Sequence, residues 1–445
     1  MEQIENTAAY NLRVAEAIKA FWEAANYISV CLLYLKENPM LHRPLVLSDV
    51  KPRAVGHWGC VPSLNFIWAT LLFVIRSTNT DVRLFLGTGH AGAAWLACSY
   101  LEGSLFRYYG TGDDEISLAE LSSAFGRTGG YLTELSTQYP GVLWASGELG
   151  YTLGIAHGHS LSTNRGVVIA VLGDGELETA PTSASFQAIR KFINRPSRLV
   201  ILVNLNGLRM GSSSEISTWT DHVIYNYFIG LGLQPHFIEG FDINELCKVL
   251  NLAIFESQKS GPPKVIILRT PKGATIPVSL DGESLSGTTQ SHKVPIKQVQ
   301  EQSQLKWLEN WLCSYKPQNI FKDERINRSK FALIIPRNDL LIGTVHNRIE
   351  ASLLTDLKYK YCRKPPKNKN LIESFVESLK CIAKYQHLSL LITSPDELSS
   401  NRLSDLNSSK VDIIEYLSEH QCLAWSIGAI TASRFAVSFP NQAVL

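Results

Sequence analysis

Apolar residues in this chain fall into short unbroken runs separated by stretches with helical spacing. Val167-Val168-Ile169-Ala170-Val171-Leu172 stops at Gly173-Asp174-Gly175-Glu176, and Leu199-Val200-Ile201-Leu202-Val203 stops at Asn204-Leu205-Asn206-Gly207. Continuous Val- and Ile-rich runs that end in a polar turn are how strands buried on both faces of a parallel sheet read. Arg83–Leu86 and Val265–Leu268 repeat the pattern, each followed by a turn and a helical segment. The alternation predicts an α/β fold with a doubly wound, mostly parallel sheet. Before it, residues 7–36 carry Ala, Leu, Ile and Glu at helical spacing, and Asn38-Pro39 stops them.

Later in the chain the pattern weakens. Residues 316–372 are polar, with Lys358, Lys360, Arg363, Lys364, Lys367 and Lys369 around Pro365-Pro366, the composition of a solvated linker. His387–Thr393 then reads as a strand and Ile413–Ala432 as a helix. One strand and one helix cannot bury a core by themselves, so residues after about 385 are expected to be poorly supported or to pack on the first domain.

A chain of 445 residues is long for one core, and 45% hydrophobic with 18% charged residues is ordinary globular material. With 42 basic and 40 acidic residues and no basic block with interleaved aromatics, nucleic acid is not an expected partner. Tyr27–Leu35, the longest apolar stretch near the start, is too short to span a bilayer and reads as a buried helix face, so no membrane partner is expected. The eight cysteines are scattered without a Cys-x-x-Cys pair, which suits a reducing, cytoplasmic setting.

Parallel strands joined by a right-handed crossover end on the same side of a sheet, so Asp174 and Asn206 are expected to emerge together. A carboxylate beside an amide oxygen suits a hard cation such as Mg2+, with positions left for water and phosphate oxygens. The same two residues are equally at home as plain turn formers. Gly87-Thr88-Gly89-His90-Ala91-Gly92 formally matches a dinucleotide-binding loop, but the acidic residues at the right distance, Asp113 and Asp114, sit in a Gly-rich loop rather than at a strand end.

Longer words sharpen the picture. Gly56-His57-Trp58-Gly59, Gly89-His90-Ala91-Gly92, Tyr100-Leu101-Glu102-Gly103, Gly147-Glu148-Leu149-Gly150, Gly173-Asp174-Gly175-Glu176, Arg269-Thr270-Pro271-Lys272-Gly273 and Ser291-His292-Lys293-Val294-Pro295 stand in the order of the phosphoketolase family. The resemblance runs from about Val55 to Pro317 and returns at Ser394–Leu403 and Leu417–Cys422. It implies a diphosphate-binding domain over 1–315, a linker and extended segment over 316–385, and the start of a pyrimidine-binding domain over 386–445. Relative to the family pattern the chain stops early, so that second α/β domain is expected to be incomplete.

The cofactors implied are thiamine diphosphate and Mg2+, with Asp174, Asn206 and the carbonyl of Leu208 on the metal. Gly147, Glu148, Gly173, Gly175, Glu176 and Lys272 would contact the cofactor. By the same resemblance His57, His90 and His292 serve proton transfer and oxygen binding, and Glu419 takes the cofactor's pyrimidine nitrogen. Ser400 and Arg402 match contacts to a substrate phosphate. The implied reaction cleaves xylulose 5-phosphate or fructose 6-phosphate with inorganic phosphate to acetyl phosphate and an aldose phosphate. Transketolase-like ketol transfer and a non-catalytic family member are the alternatives. A homodimer, or a second chain supplying the missing pyrimidine-binding region, is the expected partner. Two positions depart from the family: Glu134 and Trp144 stand where it has histidine.

Overall fold

The computed structural model describes residues 2–109, 116–145, 147–277, 282–323, 325–344, 374–379, 390–399, 403 and 411–439. Asp113, Asp114, Ser400, Arg402 and the basic run 358–369 lie outside the described residues.

At the centre is a five-stranded parallel sheet. Its strands are β1 (Val82–Leu86), β2 (Val167–Gly173), β3 (Leu199–Leu205), β4 (Gln234–Glu239) and β5 (Lys264–Arg269), in the spatial order β1-β2-β3-β5-β4. The expected doubly wound α/β architecture is what the chain adopts. Within β2, Val167, Ile169 and Val171 join the core on one face, while Val168, Ala170 and Leu172 join the core on the other. Both sets are buried, which is why the run shows no polar alternation.

One face is covered by α1 (Glu2–Tyr34), α2 (Val61–Thr78), α3 (Gly92–Glu102), α9 (Ile243–Ser257) and α10 (Gln302–Ser314); α4 (Ser104–Tyr109) and α5 (Leu118–Ala124) follow α3. The other face carries α6 (Thr152–Ser162), α7 (Ala180–Ile189) and α8 (Asp221–Gly230). Helix α2 is apolar and long enough to cross a membrane, yet 78% of it is buried, packed by α1, α3 and α9. Pro62 in its first turn costs no hydrogen bond, because that turn has no intrahelical acceptor for its N–H.

Two expectations need correction. The stretch of the supposed linker up to Thr344 is packed rather than solvated. It runs through α11 (Pro317–Ile320) and a short antiparallel pair, β6 (Phe321–Lys322) with β7 (Arg325–Ile326), and buries Ile326, Phe331, Ile334 and Leu341. Arg76 donates to the carbonyls of Ala332 (2.9 Å) and Ile335 (2.7 Å), and Arg328 to those of Tyr100 (3.0 Å) and Leu101 (3.2 Å). Backbone acceptors satisfied by arginines let a polar-looking segment lie against the core.

The expected helix over Ile413–Ala432 is shorter than its apolar pattern. Val411–Glu415 is strand β9, paired in parallel with β8 (Leu390–Ser394), which also pairs with β10 (Phe435–Ser438). The helix, α12 (Glu419–Thr431), starts behind the Ser418 cap, whose hydroxyl accepts from the Gln421 N–H at 3.3 Å. As expected, this end packs on the first domain, by way of α6. A Cβ at Gly158 would lie 2.5 Å from the Trp425 carbonyl oxygen, and one at Gly428 2.1 Å from that of Ile155, so the two helices meet backbone to backbone. Trp425 Nε1 donates to His157 Nδ1 at 3.1 Å across the seam.

Candidate active site

The carboxyl ends of β1, β2, β3 and β5 open into a cavity of about 300 Å³, where ligands of open α/β sheets bind. Gly173 of β2 is in register with Asn204 of β3, so both strands reach the edge together. Asp174 and Asn206 therefore line the same cavity, with Gly173, Gly175, Glu176, Leu208, Lys272, His90 and His292.

Asp174 is buried and held by three donors: the Gly175 N–H (3.0 Å) on Oδ1, and the Gly207 N–H (2.8 Å) and Ser214 hydroxyl (2.9 Å) on Oδ2. Burial raises its pKa, and these donors with the nearby Lys272 oppose the rise. Asn206 Oδ1 accepts from the Leu208 N–H at 3.1 Å. Lys272, also buried, donates to the carbonyls of Leu208 (2.8 Å) and Arg209 (2.9 Å), and burial lowers its pKa. A short relay from Asn204 through Thr270 (3.0 Å) to Ser63 (2.7 Å) ties β3, β5 and α2 together under the cavity.

Above it the three predicted histidines form a cluster, with ring centroids 4.5 Å apart for His57 and His90, 5.2 Å for His57 and His292, and 5.1 Å for His90 and His292. Two distant loops must meet for this. Trp58 N–H donates to the Lys293 carbonyl (3.2 Å) and Gly273 N–H to that of Gly59 (2.7 Å), while a Cβ at Gly59 would crowd Lys272 Cε (3.0 Å) and His292 Cα (3.1 Å). Burial lowers all three pKa values: His90 to about 3, helped by His57, His292 and Lys272; His292 to about 4, helped by Lys272, His57 and Lys293; and His57 in the same direction, helped by Lys293 and Lys272. The imidazoles are neutral at pH 7, each with one donor and one acceptor nitrogen. Glu134 Oε1 stands 3.8 Å from His57 Nδ1, and burial raises its pKa.

Glu176 is buried against Gly87, where a Cβ would lie 1.8 Å from Oε2. Its Oε1 accepts from the Gly150 N–H at 3.4 Å, and burial carries its pKa up to about 7. Gly147 and Glu148 are exposed and do not line the cavity; Leu149 does so in their place. Glu419 is exposed at the start of α12 and lies outside the cavity, so one chain alone does not bring it to the histidines. Cys60, Thr88, Glu178, Thr179, Asn204, Arg209 and Met210 line the cavity and were not singled out from the sequence. Thr270 is the residue among the unanticipated supports with a signal, its place inside the Arg269–Gly273 word; nothing in the sequence marks Ser214.

The residues fit a diphosphate with a hard cation. Asp174, Asn206 and the Leu208 carbonyl are oxygen donors, a Cβ at Gly173 would meet only Thr88 Oγ1 at 3.9 Å, and Lys272 adds positive charge. His57 Nδ1, His292 Nδ1 and Glu176 Oε2 are buried without a hydrogen-bond partner, as polar atoms awaiting a ligand would be. Among the described residues no three His, Cys, Asp or Glu side chains could hold a metal, so a cation here would lean on amide and carbonyl oxygens.

Comparison with known proteins identifies the fold and the family. Solved transketolases from Campylobacter jejuni (TM-score 0.63, 19% identity, 96% of this chain and 65% of that one) and Leishmania mexicana (0.63, 16%, 96% and 64%) share the fold. Curated relatives named probable phosphoketolase from Nitrosospira multiformis and Gloeobacter violaceus are 31% and 30% identical over 94% and 97% of this chain. The chain spans 58% and 60% of their respective lengths. With the XFP N-terminal domain matching residues 11–353, the chain belongs to the phosphoketolase family.

Proposed function

We propose that this chain forms the diphosphate-binding side of a thiamine-diphosphate-dependent phosphoketolase, cleaving xylulose 5-phosphate or fructose 6-phosphate with inorganic phosphate to acetyl phosphate and an aldose phosphate. The observation that carries this reading is the cluster of three neutral histidines over a cavity that holds Asp174, Asn206 and Lys272 at the ends of parallel strands. Asp174, Asn206 and the Leu208 carbonyl would hold Mg2+, and the bare Gly173 and Gly175 with Lys272 would receive the diphosphate. When bound, thiamine diphosphate supplies a carbon nucleophile and an electron sink. His57, His90 and His292 would bind the ketose oxygens, taking a proton at one nitrogen and returning it from another. A cytoplasmic setting belongs to the same proposal.

The exposure of Glu419 supports a second element: a site shared between two chains, in which Glu419 of one copy serves the cavity of another. A non-catalytic relative that binds the cofactor is the competing reading. Calorimetry with thiamine diphosphate and Mg2+, paired with capture of acetyl phosphate by hydroxylamine, tests the proposal. Binding and product are expected, both lost in Asp174→Ala, with product alone lost in Glu419→Gln. Binding without product in the native chain supports the non-catalytic reading, and product that required an aldose acceptor instead of phosphate would point to ketol transfer.

A further inference from the structure

A second basin, of about 730 Å³, adjoins the histidine cluster. His57 lines it at the inner end, and Arg53, Arg127, Lys293 and Lys297 line it elsewhere; no Asp or Glu does. The chain as a whole is nearly balanced, with 42 basic against 40 acidic residues, so four cations without a carboxylate form a local excess. Among the described residues Arg53, Lys293 and Lys297 have no ion-pair partner, and the Arg127 guanidinium donates to the Ser123 hydroxyl at 3.0 Å. Three separate segments, 53–57, 126–133 and 293–297, converge to build this lining. The charge already acts inward, since Lys293 is among the groups that lower the pKa of His57.

We infer that this basin is a docking site for a phosphoryl dianion on its way to His57. The ligand is the phosphate of a ketose ester or inorganic phosphate; naming those two sources rests on the proposed function, while the anion site itself rests on the charge and shape of the basin. A concave surface of one sign raises the local concentration of the opposite ion and speeds its capture. Glu134, 3.8 Å from His57, sets the inner limit, because a carboxylate there holds an anion back in the basin.

The test is calorimetric titration of the full chain at low salt with inorganic phosphate and, separately, with xylulose 5-phosphate. In Arg53→Gln/Lys297→Gln the affinity for at least one of them is expected to fall about tenfold, roughly threefold per exposed cation. In Glu134→Gln it is expected to rise by about threefold, and added salt should weaken the native chain more than the double variant. Dependence on the two cations with phosphate alone assigns the basin to the acceptor, and with the sugar phosphate alone to the ketose. Equal affinity of the native chain and double variant for both ligands overturns the inference. Thiamine diphosphate with Mg2+ serves as the control: its binding should be unchanged in the double variant. Its failure to bind the native chain would sink the proposed function and leave the basin to be judged by the phosphate titrations.

Discussion

Glu102 offers a quantitative test of how the packed strap over residues 316–344 is held near Gly343. Its carboxylate is fully buried and accepts three hydrogen bonds: from the Ser104 hydroxyl (2.7 Å), the Gly343 N–H (2.7 Å) and Trp68 Nε1 (3.1 Å). Three donors favour the ionised form, but desolvation is larger, and the pKa rises from 4.5 to about 7. The folded chain thus keeps a proton that the unfolded chain sheds near 4.5. Between those two values the folded state binds more protons, so stability falls as pH rises; below them the contribution is intact, and above about 7 it is lost. At about 1.4 kcal/mol per tenfold change in proton affinity, the loss is about 3 kcal/mol. Glu102→Gln removes the titration. It also turns one amide hydrogen toward a former donor, which costs about 1 kcal/mol or more at every pH. Urea unfolding of both proteins at pH 5 and pH 8 should show the native chain losing about 2.5 kcal/mol more than the variant over that interval, which begins just above the unfolded pKa. Parallel pH profiles for the two proteins would refute the reasoning, since Glu102 would then titrate alike folded and unfolded.

Two further outcomes are expected. Gly87→Ala would push a methyl to within 1.8 Å of Glu176 Oε2, so the buried carboxylate must move; a strain of roughly 1–3 kcal/mol should lower the melting temperature and weaken thiamine diphosphate binding. A variant with native melting and native affinity would show that Glu176 is not confined there. His157 and His159, buried on the α6 side of the seam with α12, have pKa values held down to about 3 from 6.5 by burial. The unfolded chain binds protons there first, so stability is lost as pH falls from 6.5 toward 3, by up to about 5 kcal/mol per imidazole. The Trp425 emission, taken as native minus Trp425→Phe, should shift toward that of a water-exposed indole by pH 4; an unchanged spectrum would count against an acid-labile seam.

Much of the central sheet was legible because its strands are buried on both faces, and burial on both faces leaves a run of Val and Ile that no helix surface needs to mimic. β4 was not read, since Gln234–Glu239 lies at the sheet edge and mixes half-exposed with polar residues. β9 was absorbed into a helix because Ile413 and Ile414 continue the apolar pattern of α12; only pairing with β8 makes them a strand. The packed strap was invisible for a different reason. Some of its backbone groups are satisfied by Arg76 and Glu102, and its own Arg328 donates to the carbonyls of Tyr100 and Leu101, all partners far away in the chain.

By itself the sequence determined the parallel sheet and the arrival of Asp174 and Asn206 at one edge, because strand period and crossover handedness are local rules. Its motif words, through their resemblance to a known family, also nominated His57, His90 and His292. The tertiary structure decided that these histidines touch and are neutral, since contact and desolvation depend on distant loops that meet through Trp58, Gly59, Gly273 and Lys293. It likewise decided that Glu419 stands outside the cavity and that four cations share a basin beside His57, both properties of surfaces assembled from segments with no local signal in common.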